Sequence, residues 1–131
     1  MLKRILLSAS LLAGFTVWGQ DETELDKCMK QVGEANGRIR KATSLEDVAK
    51  DAETIRGLLK QSEAFWAKNS KSDALKWNQE GQEAAKALAT AAASGSKEST
   101  DAAAKTMGGS CQACHKVYRE RLPDGSYKLK M

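Results

Sequence analysis

Two cysteines and the only histidine of the chain lie within the segment Cys111-Gln112-Ala113-Cys114-His115. On a helix, Cys111 and Cys114 are three residues apart and project from the same side, and His115 follows Cys111 by four residues. Two thioether bonds from that side would hold a haem by its vinyl groups and bring an imidazole nitrogen of His115 under the iron. The segment therefore predicts one covalently attached haem c with His115 as the proximal iron ligand.

Other uses of these side chains are open but fit the sequence less well. The cysteines could form a structural disulfide, although three cysteines in the chain leave one unpaired. A thioredoxin-type redox pair needs a βαβ context, which the sequence lacks. A zinc site needs four donors, of which this segment supplies three, and Cys28 is the remaining cysteine that could complete them.

The first residues of the chain read as a signal for export. Lys3 and Arg4 precede an apolar run at 5–17, and Val17-Trp18-Gly19 suits a cleavage site. The run is shorter than the ~20 residues that a membrane-spanning helix needs, so no membrane attachment is expected after cleavage. We therefore predict a signal peptide at 1–19, cleaved near Gly19, and one periplasmic domain at 20–131.

The composition of residues 20–131 is poor in bulky side chains and rich in alanine. Strand-forming residues are sparse and do not alternate, which argues against a strand-rich fold. No basic stripe with interleaved aromatic residues is present, so nucleic-acid binding is not expected. So few large apolar side chains would fill a core poorly, and a buried haem, itself a large apolar body, would make up that deficit.

Four amphipathic segments predict an all-α fold. The predicted helices cover about 23–42, 45–68, 73–93 and 97–122, with Ser44 capping the second and Ser72 or Asp73 capping the third. A turn at 123–126 and a short tail follow. Because the connections are short, neighbouring helices should run antiparallel, which predicts an up-down-up-down four-helix bundle.

The last predicted helix resembles the class II cytochromes c, the cytochrome c′ group. Gly108, Gly109 and Ser110 stand before the first cysteine, and the aromatic–arginine pair Tyr118-Arg119 stands three and four residues after the histidine. The first helix is similar to the low-spin branch of that family, because Met29-Lys30-Gln31-Val32-Gly33 matches the Met-Lys-x-aliphatic-Gly segment. The resemblance implies that Met29 is the sixth iron ligand.

The residue on the far side of the haem decides between two functions. Met107 lies four residues before Cys111 on the same helix, so we expect it to pack in the core. Ligation by His115 and Met29 would raise the reduction potential and suit an electron carrier that serves redox partner proteins. Without a sixth ligand, the resemblance implies a five-coordinate protein that binds NO or CO. Neither hypothesis makes the chain an enzyme.

Several further residues carry expectations. Cys28 could be a small buried side chain, form an intermolecular disulfide across a homodimer contact of the first helix, or ligate iron. Trp66 and Trp77 are expected to pack in the core, and a basic rim near the haem could steer an acidic partner. Four glycines are interpreted as sites where helices approach closely or leave room for the haem, with close approach favoured for the last two: Gly33, Gly81, Gly108 and Gly109.

Overall fold

The computed structural model describes residues 22–131 as four α-helices followed by a β-hairpin. The predicted signal peptide lies outside the described residues. The elements are α1 (Glu22–Lys41), α2 (Leu45–Lys68), α3 (Ser72–Ala93), α4 (Lys97–Tyr118), β1 (Arg119–Arg121) and β2 (Tyr127–Leu129). Consecutive helices pack against each other, whereas α1 and α4 barely approach. The all-α four-helix bundle is confirmed. None of the described helices has the length and apolar character that crossing a membrane requires.

Side-chain hydrogen bonds begin two of the helices where the sequence predicts. The Ser44 hydroxyl accepts from the backbone N–H of Asp47 at 3.2 Å, and the Ser96 hydroxyl starts α4 in the same way. The predicted cap of α3 is wrong, because Lys71 precedes the helix and makes no side-chain cap. Asp73 instead lies in the first turn of α3, where its carboxylate accepts from the N–H of Ala74 at 2.8 Å.

The fourth helix ends at Tyr118, four residues earlier than predicted, because the tail folds back as a hairpin. β1 and β2 pair antiparallel, and the N–H of Lys130 donates to the carbonyl of Tyr118 at 2.8 Å. Pro123 disfavours helical backbone in the residue before it. The predicted turn is confirmed: Gly125 has φ +86°, and the carboxylate of Asp124 accepts from the N–H of Ser126.

The interior divides into two apolar clusters at opposite ends of the bundle. The upper core joins the start of α1, the end of α2, the start of α3 and the end of α4, which establishes the antiparallel order. It consists of Leu25, Phe65, Trp66, Ala74 and Tyr118. The lower core, towards the other end, is dominated by alanine and contains Met107, whose predicted packing role is confirmed. Its other members are Ala35, Val48, Ala52, Ile55, Leu59, Ala84, Ala85, Leu88, Ala89 and Ala92.

Only one of the four interpreted glycines marks a close approach of helices. A Cβ added to Gly81 would lie 3.1 Å from Cδ1 of Leu59, where α3 crosses α2. A Cβ at Gly33, Gly108 or Gly109 would have no neighbouring side chain or packed helix within 4 Å. Close helix approach is therefore the wrong interpretation for Gly108 and Gly109, and room for a cofactor stays a prediction.

Candidate cofactor-binding site

Cys111, Cys114 and His115 lie on the last two turns of α4, at the end of the bundle that holds the upper core. All three side chains are partly exposed, and both cysteines are free thiols. The helix runs unbroken through the segment, so the predicted spacing of three and four residues places them on one side of α4. The alternative of a Cys111–Cys114 disulfide is absent from the described fold.

The environment of the two thiols keeps them protonated at neutral pH. Burial raises the pKa of Cys111. Burial raises the pKa of Cys114 to about 11, and the charges of Asp73 and Cys111 contribute in the same direction. Redox cysteines and zinc ligands act as thiolates and are found in settings that lower the pKa, so this environment argues against both uses.

His115 is held as a neutral imidazole. Burial lowers its pKa, and the positive charge of Arg119 lowers it further. Its Nδ1 lies 3.3 Å from Nη1 of Arg119, one helical turn away. A neutral imidazole is the form that ligates a metal, so His115 needs to lose no proton before it binds iron.

Met29 is the residue of the first helix that lies at the same end of the bundle as this site. The Met29 side chain is partly buried and packs against both the upper and the lower core, while Cys114 packs against the upper core from α4. The two residues therefore meet the same apolar cluster from the two helices that barely approach each other.

Cys28 contacts α2 rather than solvent. Its side chain is buried, its Sγ donates to the carbonyl oxygen of Leu58 at 3.3 Å, and Gln61 Oε1 lies 3.8 Å away. Burial raises the pKa of this thiol, and Glu24 adds to the shift. The structure therefore supports the small buried side chain over an intermolecular disulfide or an iron ligand. Within residues 22–131 no three side chains among His, Cys, Asp and Glu converge to hold a metal ion.

Tyr118 anchors the end of α4 next to the site. Its hydroxyl donates to the carboxylate of Asp73 at the start of α3, and its ring lies 5.1 Å from that of Trp66, centroid to centroid. Trp66 also meets Phe65 edge to face at 5.0 Å, so its predicted core role is confirmed, and the partly buried Trp77 packs against the same cluster. Asp73 was expected only as a helix cap, and its pairing with Tyr118 across 45 residues left no local sequence signal.

A surface depression of about 270 Å³ opens beside His115. Its wall is formed partly by the end of α4 and partly by the hairpin, from residues Gln112, His115, Lys116, Arg119, Arg121 and Tyr127. The sequence did not predict this feature, because the hairpin that forms half of it was interpreted as helix and tail.

These side chains suit a covalently bound haem. Two free thiols and a neutral imidazole stand on one side of α4, and a thioether sulfur falls on the opposite helix. The backbones of these two helices barely approach each other, although both contribute side chains to the upper core. Cys111 and Cys114 would hold the group, and His115 and Met29 would supply its axial ligands.

Comparison with known proteins identifies the family of the chain. A family model described as Cytochrome C′ matches residues 20–119, which includes all four helices. No curated protein and no solved structure matches the chain.

Proposed function

The chain belongs to the cytochrome c′ family, whose members bind one covalently attached haem c, and from this premise we propose that it carries single electrons between redox partner proteins in the periplasm. When bound, the haem supplies a one-electron couple whose potential its axial ligands set. A carrier of this kind turns over no substrate, so the chain's own residues need only bind the group, fix its ligands and present it to partners.

We assign the haem thioethers to Cys111 and Cys114 and the proximal ligand to His115. The protonated, partly exposed thiols are accessible for attachment, and the rigid helix fixes their spacing relative to the imidazole. The helix is unbroken from Cys111 to Tyr118, and the hydrogen bond between Tyr118 and Asp73 anchors its end. This anchoring fixes the orientation of His115. A fixed proximal ligand changes little between oxidation states, which favours fast electron transfer.

Met29 is the proposed distal ligand, and its packing is the observation that carries this function. It meets the upper core from α1, as Cys114 does from α4, so the thioether and the attachment segment share one end of the bundle. His–Met ligation raises the reduction potential, as an electron carrier requires. Met107, the buried methionine among the described residues, lies in the lower core and on α4 itself.

Absorption spectra of the purified holoprotein test this proposal. The reduced wild type should give a low-spin spectrum that does not change when CO is added. Met29→Ala should become high-spin and bind CO, whereas Val32→Ala, which alters a partly buried residue one turn further along α1, should stay low-spin. A wild-type protein that is high-spin and binds CO would establish the five-coordinate, gas-binding function instead.

The compartment can be tested separately. A red protein released by selective opening of the outer membrane, with a first residue near Gln20, would support export and cleavage of the signal peptide. A protein retained with the cytosol would contradict them.

A further inference from the structure

The C-terminal hairpin lies almost wholly beyond the part of the chain that the family model matches, which ends at residue 119. Its strands are nevertheless fixed to the end of the bundle that holds the upper core and the proposed haem-attachment residues. Leu129 packs against the upper core, and the Lys130 N–H is bonded to the Tyr118 carbonyl. The hairpin is therefore a preformed surface beside the site.

Within residues 22–131, the cations of this region form no ion pair with another side chain. Among the described residues, eight ion pairs join charged side chains, and all lie between Glu24 and Asp101. None includes the five basic residues of the hairpin region: Lys116, Arg119, Arg121, Lys128 and Lys130. The same stretch contains two carboxylates, Glu120 and Asp124, and Asp124 is engaged by Ser126. The region therefore presents unneutralised positive charge to solvent.

One face of the hairpin combines this charge with an aromatic ring. Side chains alternate along a strand and those opposite each other share a face, so Arg119, Arg121, Tyr127 and Leu129 lie on the same side. The guanidinium carbon of Arg119 lies 3.2 Å above the centre of the Tyr127 ring. Cation–π stacking of this kind orders both side chains, and the guanidinium keeps its positive charge.

The exposed large apolar residues of the described chain are also found here. Val117 is 43% exposed, Tyr127 50% and Met131 57%. Arginine, tyrosine and methionine are enriched at protein interfaces. Of the three exposed residues, Tyr127 lines the depression beside His115, whose lining also includes three cations and no carboxylate.

We propose that this face, formed by Lys116, Arg119, Arg121 and Tyr127, is a docking surface for an acidic protein partner, whose carboxylates enter the depression. A protein is favoured over an anionic membrane because the surface is concave and its apolar residues are single and mixed with arginine, as in interfaces with hot spots. The claim that this docking serves electron exchange rests on the proposed function. The docking itself depends only on the charge and shape of the hairpin region.

Poly-L-glutamate is a suitable probe of carboxylate docking on the holoprotein. Calorimetry at low ionic strength should show binding that Lys116→Gln/Arg121→Gln weakens about tenfold, since local charge governs such encounters. The control Lys86→Gln/Lys105→Gln removes the same charge from exposed, unpaired lysines in the half of the bundle with the lower core, and should change affinity less than twofold. Carbodiimide cross-links from the probe should map to Lys116, the one lysine of the proposed face. Equal weakening in both double variants, or cross-links spread over the bundle, would overturn the proposal.

Vesicles with one quarter phosphatidylglycerol give the second arm. The wild type should cosediment with them no more than Lys116→Gln/Arg121→Gln does at 0.1 M salt. Preferential wild-type binding to these vesicles, rather than to poly-L-glutamate, would assign the face to a membrane and overturn a protein partner. None of these readouts depends on spin state. Failure of the electron-carrier function therefore shows in the spectra, and failure of the docking surface shows in the binding data.

Discussion

Nη1 of Arg119 lies 3.3 Å from Nδ1 of His115, and this contact fixes where the imidazole proton resides. A guanidinium can only donate, so Nδ1 accepts and the ring proton sits on Nε2. If His115 bound iron through Nε2, that proton would have to move to Nδ1, where Arg119 cannot accept it. Arg119 would then give up this contact, while its stacking on Tyr127 would keep the positive charge beside the proposed proximal ligand.

A positive charge near the iron stabilises the reduced state relative to the oxidised state, because the reduced iron carries one fewer positive charge. Arg119→Gln should therefore lower the reduction potential, by about 1 kcal/mol or roughly 40 mV if the charge is screened as at a protein surface. Spectroscopic redox titration measures this shift. Lys86→Gln, a charge loss at a distant exposed position, should leave the potential nearly unchanged. An unchanged or higher potential in Arg119→Gln would show that Arg119 has no electrostatic role.

The sequence was sufficient to predict the helices and to single out one candidate attachment segment, because both are local patterns. Heptad-like spacing places Leu25, Ile55 and Leu88 on buried faces, and the spacing of Cys111 and His115 fixes their side of α4 once the segment is helical. The hairpin escaped prediction because its strands are three residues long and have no alternating pattern. The last carbonyl of the helix, that of Tyr118, accepts a hydrogen bond from Lys130, twelve residues away, and no local pattern predicts that contact.

The Tyr118–Asp73 hydrogen bond predicts how stability depends on pH. Hydrogen bonding to Asp73, then burial, raises the pKa of Tyr118 to about 12, above the value of 10.0 expected in the unfolded chain. Hydrogen bonding to Tyr118 also holds the pKa of Asp73 below 3.8. The stabilisation from Tyr118 is thus complete below pH 10 and is lost between pH 10 and about 12. That from Asp73 is present above pH 3.8 and is lost as acid protonates it.

Urea unfolding of the holoprotein across pH tests this pair. Tyr118→Phe should unfold at lower urea concentration than the wild type at pH 7, and the difference should shrink towards pH 12, as the wild type loses the bond. Lysines titrate in both proteins, so they cancel from the comparison. A difference that stays constant from pH 7 to 12 would mean that the ring packing against Trp66, and not the hydroxyl, accounts for the loss.

Two helix glycines with different surroundings give a matched test of the packing between α2 and α3. Gly57 is exposed and a Cβ there would have no neighbouring side chain within 4 Å, so Gly57→Ala should stabilise the fold by about 0.5–1 kcal/mol. Gly81→Ala gains the same helix propensity but places its Cβ 3.1 Å from the buried Leu59. It should therefore be about 1 kcal/mol less favourable than Gly57→Ala by chemical denaturation. Equal effects would show that Leu59 yields without cost.

In the candidate site too, local sequence patterns suggested some residues, whereas contacts between distant residues could be seen only in the fold. One pentapeptide suggests the attachment residues, and the neighbours of Met29 in α1 suggest the distal ligand; both assignments stay proposals. Three features needed the fold: Cys28 turns towards the Leu58 carbonyl, Asp73 reaches Tyr118, and Tyr127 returns to Arg119. Each of these contacts joins residues from different elements. Neither the residue types nor their separation in the sequence predicts that the two residues meet.

The weak packing between α1 and α4 predicts which part of the bundle depends on the haem. Among the described helices, α1 packs substantially only on α2, while α2, α3 and α4 form a continuous series of contacts. A haem held between α1 and α4 and burying ~400 Å² of apolar surface would contribute on the order of 10 kcal/mol, as an upper estimate. Cys111→Ser/Cys114→Ser, purified without haem, should therefore lose amide protection throughout α1 by hydrogen exchange. The α2–α3 pair, with Asn78 bonded to Ser62 at 2.6 Å, should retain the most. Protection of α1 equal to that in the wild-type holoprotein, with near-native circular dichroism, would show that the chain fills its core without the cofactor.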